Sequence, residues 1–127
     1  MKKLLMVLIL FLFSCSEESD FLSSYEQKHL RNIAYKSLSE EARSTIVNWQ
    51  NGKVEAGIYH SSDESDFIVL DSKNEIPFMI NSTDVKLIER QKLVAVTFNT
   101  TYDALLGPLI LIIELREEKV IGLTPRM

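Results

Sequence analysis

Three hydrophobic patterns follow one another along the chain. The first is the charge-free run Leu4–Phe13, ten apolar residues behind Lys2 and Lys3. A membrane-crossing helix needs about 20 apolar residues, so this run is too short to span. A positive start followed by a short apolar stretch is instead the pattern of a secretory signal peptide. The second pattern is helical. Ser24-Tyr25-Glu26-Gln27 reads as a capping box, and Leu30, Ile33, Ala34 and Leu38 recur three to four residues apart. This predicts a helix over about 25–37. Ser39, with Glu40 and Glu41 behind it, caps a second helical stretch whose apolar side is Ala42, Ile46, Val47 and Trp49, ending at Asn51-Gly52.

From Lys53 the period falls to two. Val54, Ala56 and Ile58 alternate with Lys53, Glu55 and Gly57, the pattern of a half-buried strand. Phe67–Leu70 follows the polar turn 61–65. Phe78–Ile80 follows the turn 71–74, with Pro77 confining it to an edge or a strand start. Segment 85–91 fits a helical turn or an edge strand equally well. The clearest β signals come last. Leu93–Thr100 alternates, and Leu109–Leu115 is almost continuously apolar, as in a central strand covered on both faces. Arg116-Glu117-Glu118 turns the chain into a final strand over 119–123.

Helices followed by strands with short connections predict an α+β fold. The expected architecture is an N-terminal helix or helix pair packed on an antiparallel sheet of four to five strands, with Trp49 in the seam. The expected division is a signal peptide at 1–14, a lipidated cysteine with its tether at 15–24, and a single domain at 25–127.

Composition sharpens this outline. Cys15 is the only cysteine among 127 residues, so an intrachain disulfide and a thiolate metal cluster are excluded. Loss of Lys2 and Lys3 with the leader lowers the basic count from 14 to 12 against 18 acids. The net charge becomes −6, where the whole chain carries −4. Such a domain is not expected to bind nucleic acid or an anionic membrane face by charge alone. Ser16-Glu17-Glu18-Ser19-Asp20 reads as a solvated spacer.

The tetrad Leu12-Phe13-Ser14-Cys15 resembles the lipobox of bacterial lipoproteins: apolar, variable, small, then cysteine. The resemblance covers the first fifteen residues. It implies a diacylglyceryl thioether on Cys15, cleavage before it, and acylation of the new amino group in organisms that perform that step. Two or three acyl chains would hold the protein durably on the extracytoplasmic side of a cell membrane or outer membrane. Beyond Cys15, the order of elements over about 70 residues resembles cystatin-like and PepSY-like small extracytoplasmic domains, a likeness that implies no active site.

Candidate chemistry is sparse. The stretch from Thr100 to Pro108 is longer than a tight hairpin needs, and Tyr102 and Asp103 offer a hydroxyl and a carboxylate, making this a candidate binding loop. The competing reading buries Leu105 and Leu106 in the core. His29 is expected to face solvent. His60 precedes Asp63, Glu64 and Asp66, but at a spacing that fits neither zinc nor EF-hand patterns. No nucleophile-elbow, penicillin-binding or phosphate-loop motif occurs. The sequence therefore assigns no catalytic residue, no metal site and no cofactor. The expected function is a lipid-anchored, non-enzymatic binding or interaction module with an envelope protein as partner. The alternatives are an envelope enzyme or enzyme inhibitor, or an exclusion or immunity lipoprotein of a phage or plasmid.

Overall fold

The computed structural model describes residues 22–63, 65–81 and 86–124. Helix α1 spans Ser24–Lys36 and α2 spans Glu40–Thr45; one 3₁₀ turn, Trp49–Asn51, leads into the strands. The strands are β1 Lys53–Ser61, β2 Asp66–Leu70, β3 Glu75–Ile80, β4 Lys92–Phe98, β5 Leu109–Glu114 and β6 Lys119–Leu123. Helix α3, Asp103–Leu106, interrupts the β4–β5 connection. Among the described residues no helix is long and apolar enough to cross a membrane.

The helix starts follow their side-chain chemistry. Ser23, not Ser24, caps α1: its Oγ accepts from the Glu26 N–H at 3.1 Å and donates to Glu26 Oε1 at 3.3 Å. Ser39 Oγ accepts from the Ala42 N–H and opens α2 as expected. The two bonds from backbone N–H groups each satisfy one of the orphan donors of a helix start.

The sheet corrects the expected architecture. It is a closed six-stranded antiparallel barrel in the order β1-β2-β3-β6-β5-β4, not an open sheet of four to five strands with helices laid across it. Two three-stranded meanders, β1–β3 and β4–β6, are joined first strand to first and last to last. Strand β1 makes one join by pairing β4 through Lys53–Ile58 and β2 through Gly57–Ser61. Its length lets it serve both neighbours, so the sheet curls. The second join is short: only Met79↔Leu123 and Ile80↔Gly122 pair β3 with β6. Gly122 permits it, because a Cβ there would lie 2.4 Å from the Met79 carbonyl oxygen. Pro77 pairs opposite Phe67 on β2, in the part of β3 that β6 does not pair. The edge character read from proline is thus local to a strand that is otherwise closed in. Segment 86–91 is a turn entering β4, while residues 82–85 lie outside the described residues.

Two apolar clusters divide the core. Tyr59, Ile68, Leu70, Phe78, Leu93, Ala95, Ile112 and Ile121 fill the barrel. Leu30 and Ala34 of α1 pack outside it on Val94, Val96, Phe98, Leu111 and Ile113. The alternation of β4 explains the split: Leu93 and Ala95 face inward, and Val94, Val96 and Phe98 face the helix. Strand β5 is covered on both faces, as its apolar run predicts. Trp49 stacks on Tyr35 with ring centroids 4.5 Å apart and closes the end of the helix–barrel seam.

Candidate functional site

The 99–108 connection is built as a braced loop at the mouth where β4 ends and β5 begins. The end of α2 and the two residues after it clamp the loop from one side: Thr101 N–H donates to the Thr45 carbonyl and Val47 N–H to the Asn99 carbonyl, both at 2.9 Å, and Ile46 bridges Thr100. Asp103 braces it from within. Its Oδ1 accepts from the Thr100 N–H and the Thr100 hydroxyl, each at 2.8 Å. The same hydroxyl oxygen accepts from the Tyr102 N–H at 3.2 Å. Gly107, at φ 75°, lets the chain leave α3 and start β5.

This bracing sorts the two residues singled out in the sequence. Asp103 turns inward onto Thr100, whereas Tyr102 stands 52% exposed. Leu105 and Leu106 do not enter the core: they are 81% and 39% exposed, and Val47, on the clamp that pairs with Asn99, is 47% exposed. The loop therefore presents an apolar face. Tyr102 and Asp103 are one turn of chain, but only Tyr102 belongs to that face. Sequence reasoning missed Leu105 and Val47; the signal was a Leu-Leu pair directly before Gly107-Pro108, where no strand continues. Cys15 lies outside the described residues.

The opposite mouth, where β1 ends and β4 begins, is polar. The Tyr59 hydroxyl donates to Asp66 Oδ1 at 2.5 Å inside the strand pair β1–β2. Burial, then the hydrogen bond to Asp66 and its charge, push this hydroxyl up to about 12. Glu114 is 1% exposed at the end of β5. Its carboxylate accepts from the backbone N–H groups of Arg116 and Glu117, both at 2.9 Å, from Arg116 Nε at 3.3 Å and from Gln91 Nε2 at 3.2 Å. Burial pushes its pKa up, but these bonds and the Arg116 charge outweigh burial and hold it below the usual glutamate value.

The histidines sit at this mouth too. His60 Nδ1 lies 3.1 Å from Glu89 Oε2, and His29 pairs with Glu118. His60 meets Glu89 from the segment before β4 rather than forming a cluster with Asp63 or Asp66, and Glu64 lies outside the described residues. Among the described residues no three His, Cys, Asp or Glu side chains come together as a metal site. Comparison of the chain with family models, with curated proteins and with solved structures returns no match.

Proposed function

We propose that the protein is a lipid-anchored envelope protein whose barrel is a non-enzymatic interaction module for a protein partner. The anchoring half rests on Cys15 behind the apolar run 4–13 and on the short acidic spacer after it. The interaction half rests on one observation: Tyr102, Leu105 and Leu106 are held in water on a loop that Asp103 and the α2 clamp keep in place, and Val47 of that clamp is exposed as well. Apolar area left in water forgoes roughly 25 cal/mol per Å², and a partner that covers it recovers that free energy. The barrel interior is filled by its own side chains, which directs binding to the surface.

The position of this face suits the role. Helix α1 starts beside the β5–β6 turn, where Glu26 and His29 border Leu115 and Glu118. Helix α1 thus begins at one mouth and the apolar loop lies at the other, an arrangement that leaves the loop free of the tethered end. A photoreactive amino acid at position 105 tests the reading in intact cells. The expected result is a discrete protein adduct from position 105 and none from position 25, where Tyr25 is equally exposed but beside the tether. The same adduct pattern from both positions contradicts it.

A further inference from the structure

The polar mouth carries a feature that the interaction reading leaves unused. A cleft of about 410 Å³ opens between segment 88–92 and the turn 114–116. That volume matches a small ligand. Ile88, 68% exposed, and Leu115 give it apolar walls, and Arg90, Lys92 and Arg116 line it with cations. Two carboxylates also border it, and both are engaged. Glu114 accepts the four hydrogen bonds described above. Glu89 Oε1 accepts from the Ser61 N–H at 2.7 Å, and its Oε2 faces His60.

Arg90, Lys92 and Arg116 against Glu89 and Glu114 give the lining a formal charge of +1 in a chain whose net charge is −4, with Arg116 itself paired to Glu114. The fold also holds the Arg90 backbone and one nitrogen of Arg116 at the cleft. The Arg90 N–H donates to the Tyr59 carbonyl at 2.8 Å, and Arg116 reaches Glu114 through Nε while its side chain stays 74% exposed. We propose that this cleft binds an organophosphate: a phosphate group, met by the Arg90, Lys92 and Arg116 side chains, on a short apolar body lying against Ile88 and Leu115. Arginine and lysine suit this group through charge-assisted hydrogen bonds.

Such a phosphate has two sources, an anionic lipid headgroup or a free phosphate ester. The tether bears on this choice, in a step that rests on the anchoring reading. Cys15 precedes Leu22 by seven residues, which at about 3.3 Å each lets Leu22 stand at most roughly 23 Å from the lipid and keeps the barrel close to its headgroups.

The test uses the full chain in phosphatidylcholine nanodiscs, with and without phosphatidylglycerol, read by hydrogen exchange. Exchange at 86–92 and 114–118 is expected to slow severalfold when phosphatidylglycerol is present, and high salt should abolish the difference. A second arm adds glycerol phosphate to phosphatidylcholine discs: slowing there instead assigns the site to the free ester, and the proposal still stands. The charge-reversed R90E/K92E variant should lose the response while exchange elsewhere stays unchanged. No slowing in either arm, slowing confined to other segments, or a response that survives high salt overturns the proposal. A failure of anchoring is distinct, because the protein then fails to cofractionate with discs of either composition.

Discussion

Glu55 and Glu114 face inward at opposite mouths of the barrel, and each carboxylate holds the backbone of a neighbouring hairpin turn. Glu55 accepts from the Ser72 N–H at 2.8 Å in the β2–β3 turn and pairs with Lys53 at 3.2 Å. Glu114 does the same for Arg116 and Glu117 in the β5–β6 turn. For both, burial pushes the pKa up, yet the hydrogen bonds and the adjacent cation bring it below the ordinary value of 4.5. A depressed folded pKa means that the unfolded chain takes up protons first as pH falls. The stabilisation is therefore complete above the unfolded value and is lost as pH drops through the folded one. Urea unfolding of the wild type should show stability falling steeply below about pH 4.5. Glu114→Gln should cost about 2 kcal/mol at neutral pH and flatten that acid limb. An unchanged acid limb contradicts the assignment.

The Tyr59 hydroxyl gives the opposite limb. Its folded pKa of about 12 lies above the ordinary 10, so the folded state keeps its proton longer than the unfolded chain. The resulting stabilisation is intact below pH 10 and is lost as pH rises toward 12. It amounts to about 2 kcal/mol at the alkaline end. Tyr59→Phe should remove this slope and cost about 1 kcal/mol at neutral pH, where only the bond to Asp66 is lost. Chemical denaturation across the alkaline range, with absorbance of the ionised phenol as a second signal, measures both.

Closure of the barrel depends on a narrow contact. Gly122→Ala would place a methyl group 2.4 Å from the Met79 oxygen and 2.9 Å from the Phe78 ring. Backbone on one side and a buried ring on the other leave little room to relax. The variant should lose about 1–3 kcal/mol. Hydrogen exchange should rise first in β3 and β6, while β1 and β4, joined through six residue pairs, stay protected.

Asp103 and Leu105 separate bracing from contact within one loop. Asp103→Ala removes the acceptor for Thr100 and should cost about 1 kcal/mol of stability. Leu105→Glu touches no packed neighbour and should leave the melting temperature within a degree or two, yet abolish the partner adduct trapped from a photoreactive residue at 102. Reversed outcomes would make Leu105 a folding residue and end its role in docking.

Much of the fold was legible where the cause is local. Ser39 as a cap, the alternation read over Leu93–Thr100 and the apolar run of β5 all report nearest-neighbour chemistry, and the structure follows them, with β4 ending at Phe98. Barrel closure was not legible. It depends on β1 pairing two strands far apart in sequence and on the close approach of Gly122 to Met79, and neither leaves a periodic trace. Pro77 pointed toward an open edge because a missing N–H says nothing of which side of the strand is left unpaired. The loop misled in the other direction: apolarity suggested burial for Leu105 and Leu106, but the braces on Thr100 turn them outward. Glu114 was hidden inside an apolar run, although a lone acid two residues before the turn Arg116–Glu118 was a sign that a carboxylate would be needed there.

The central claim is that a lipid on Cys15 fixes where this barrel works. Growth of cells with labelled palmitate, followed by isolation of the full chain and its Cys15→Ser variant, tests it most directly. The account predicts label in the wild type and none in the variant. An unlabelled wild type, or equal label in both, would contradict it.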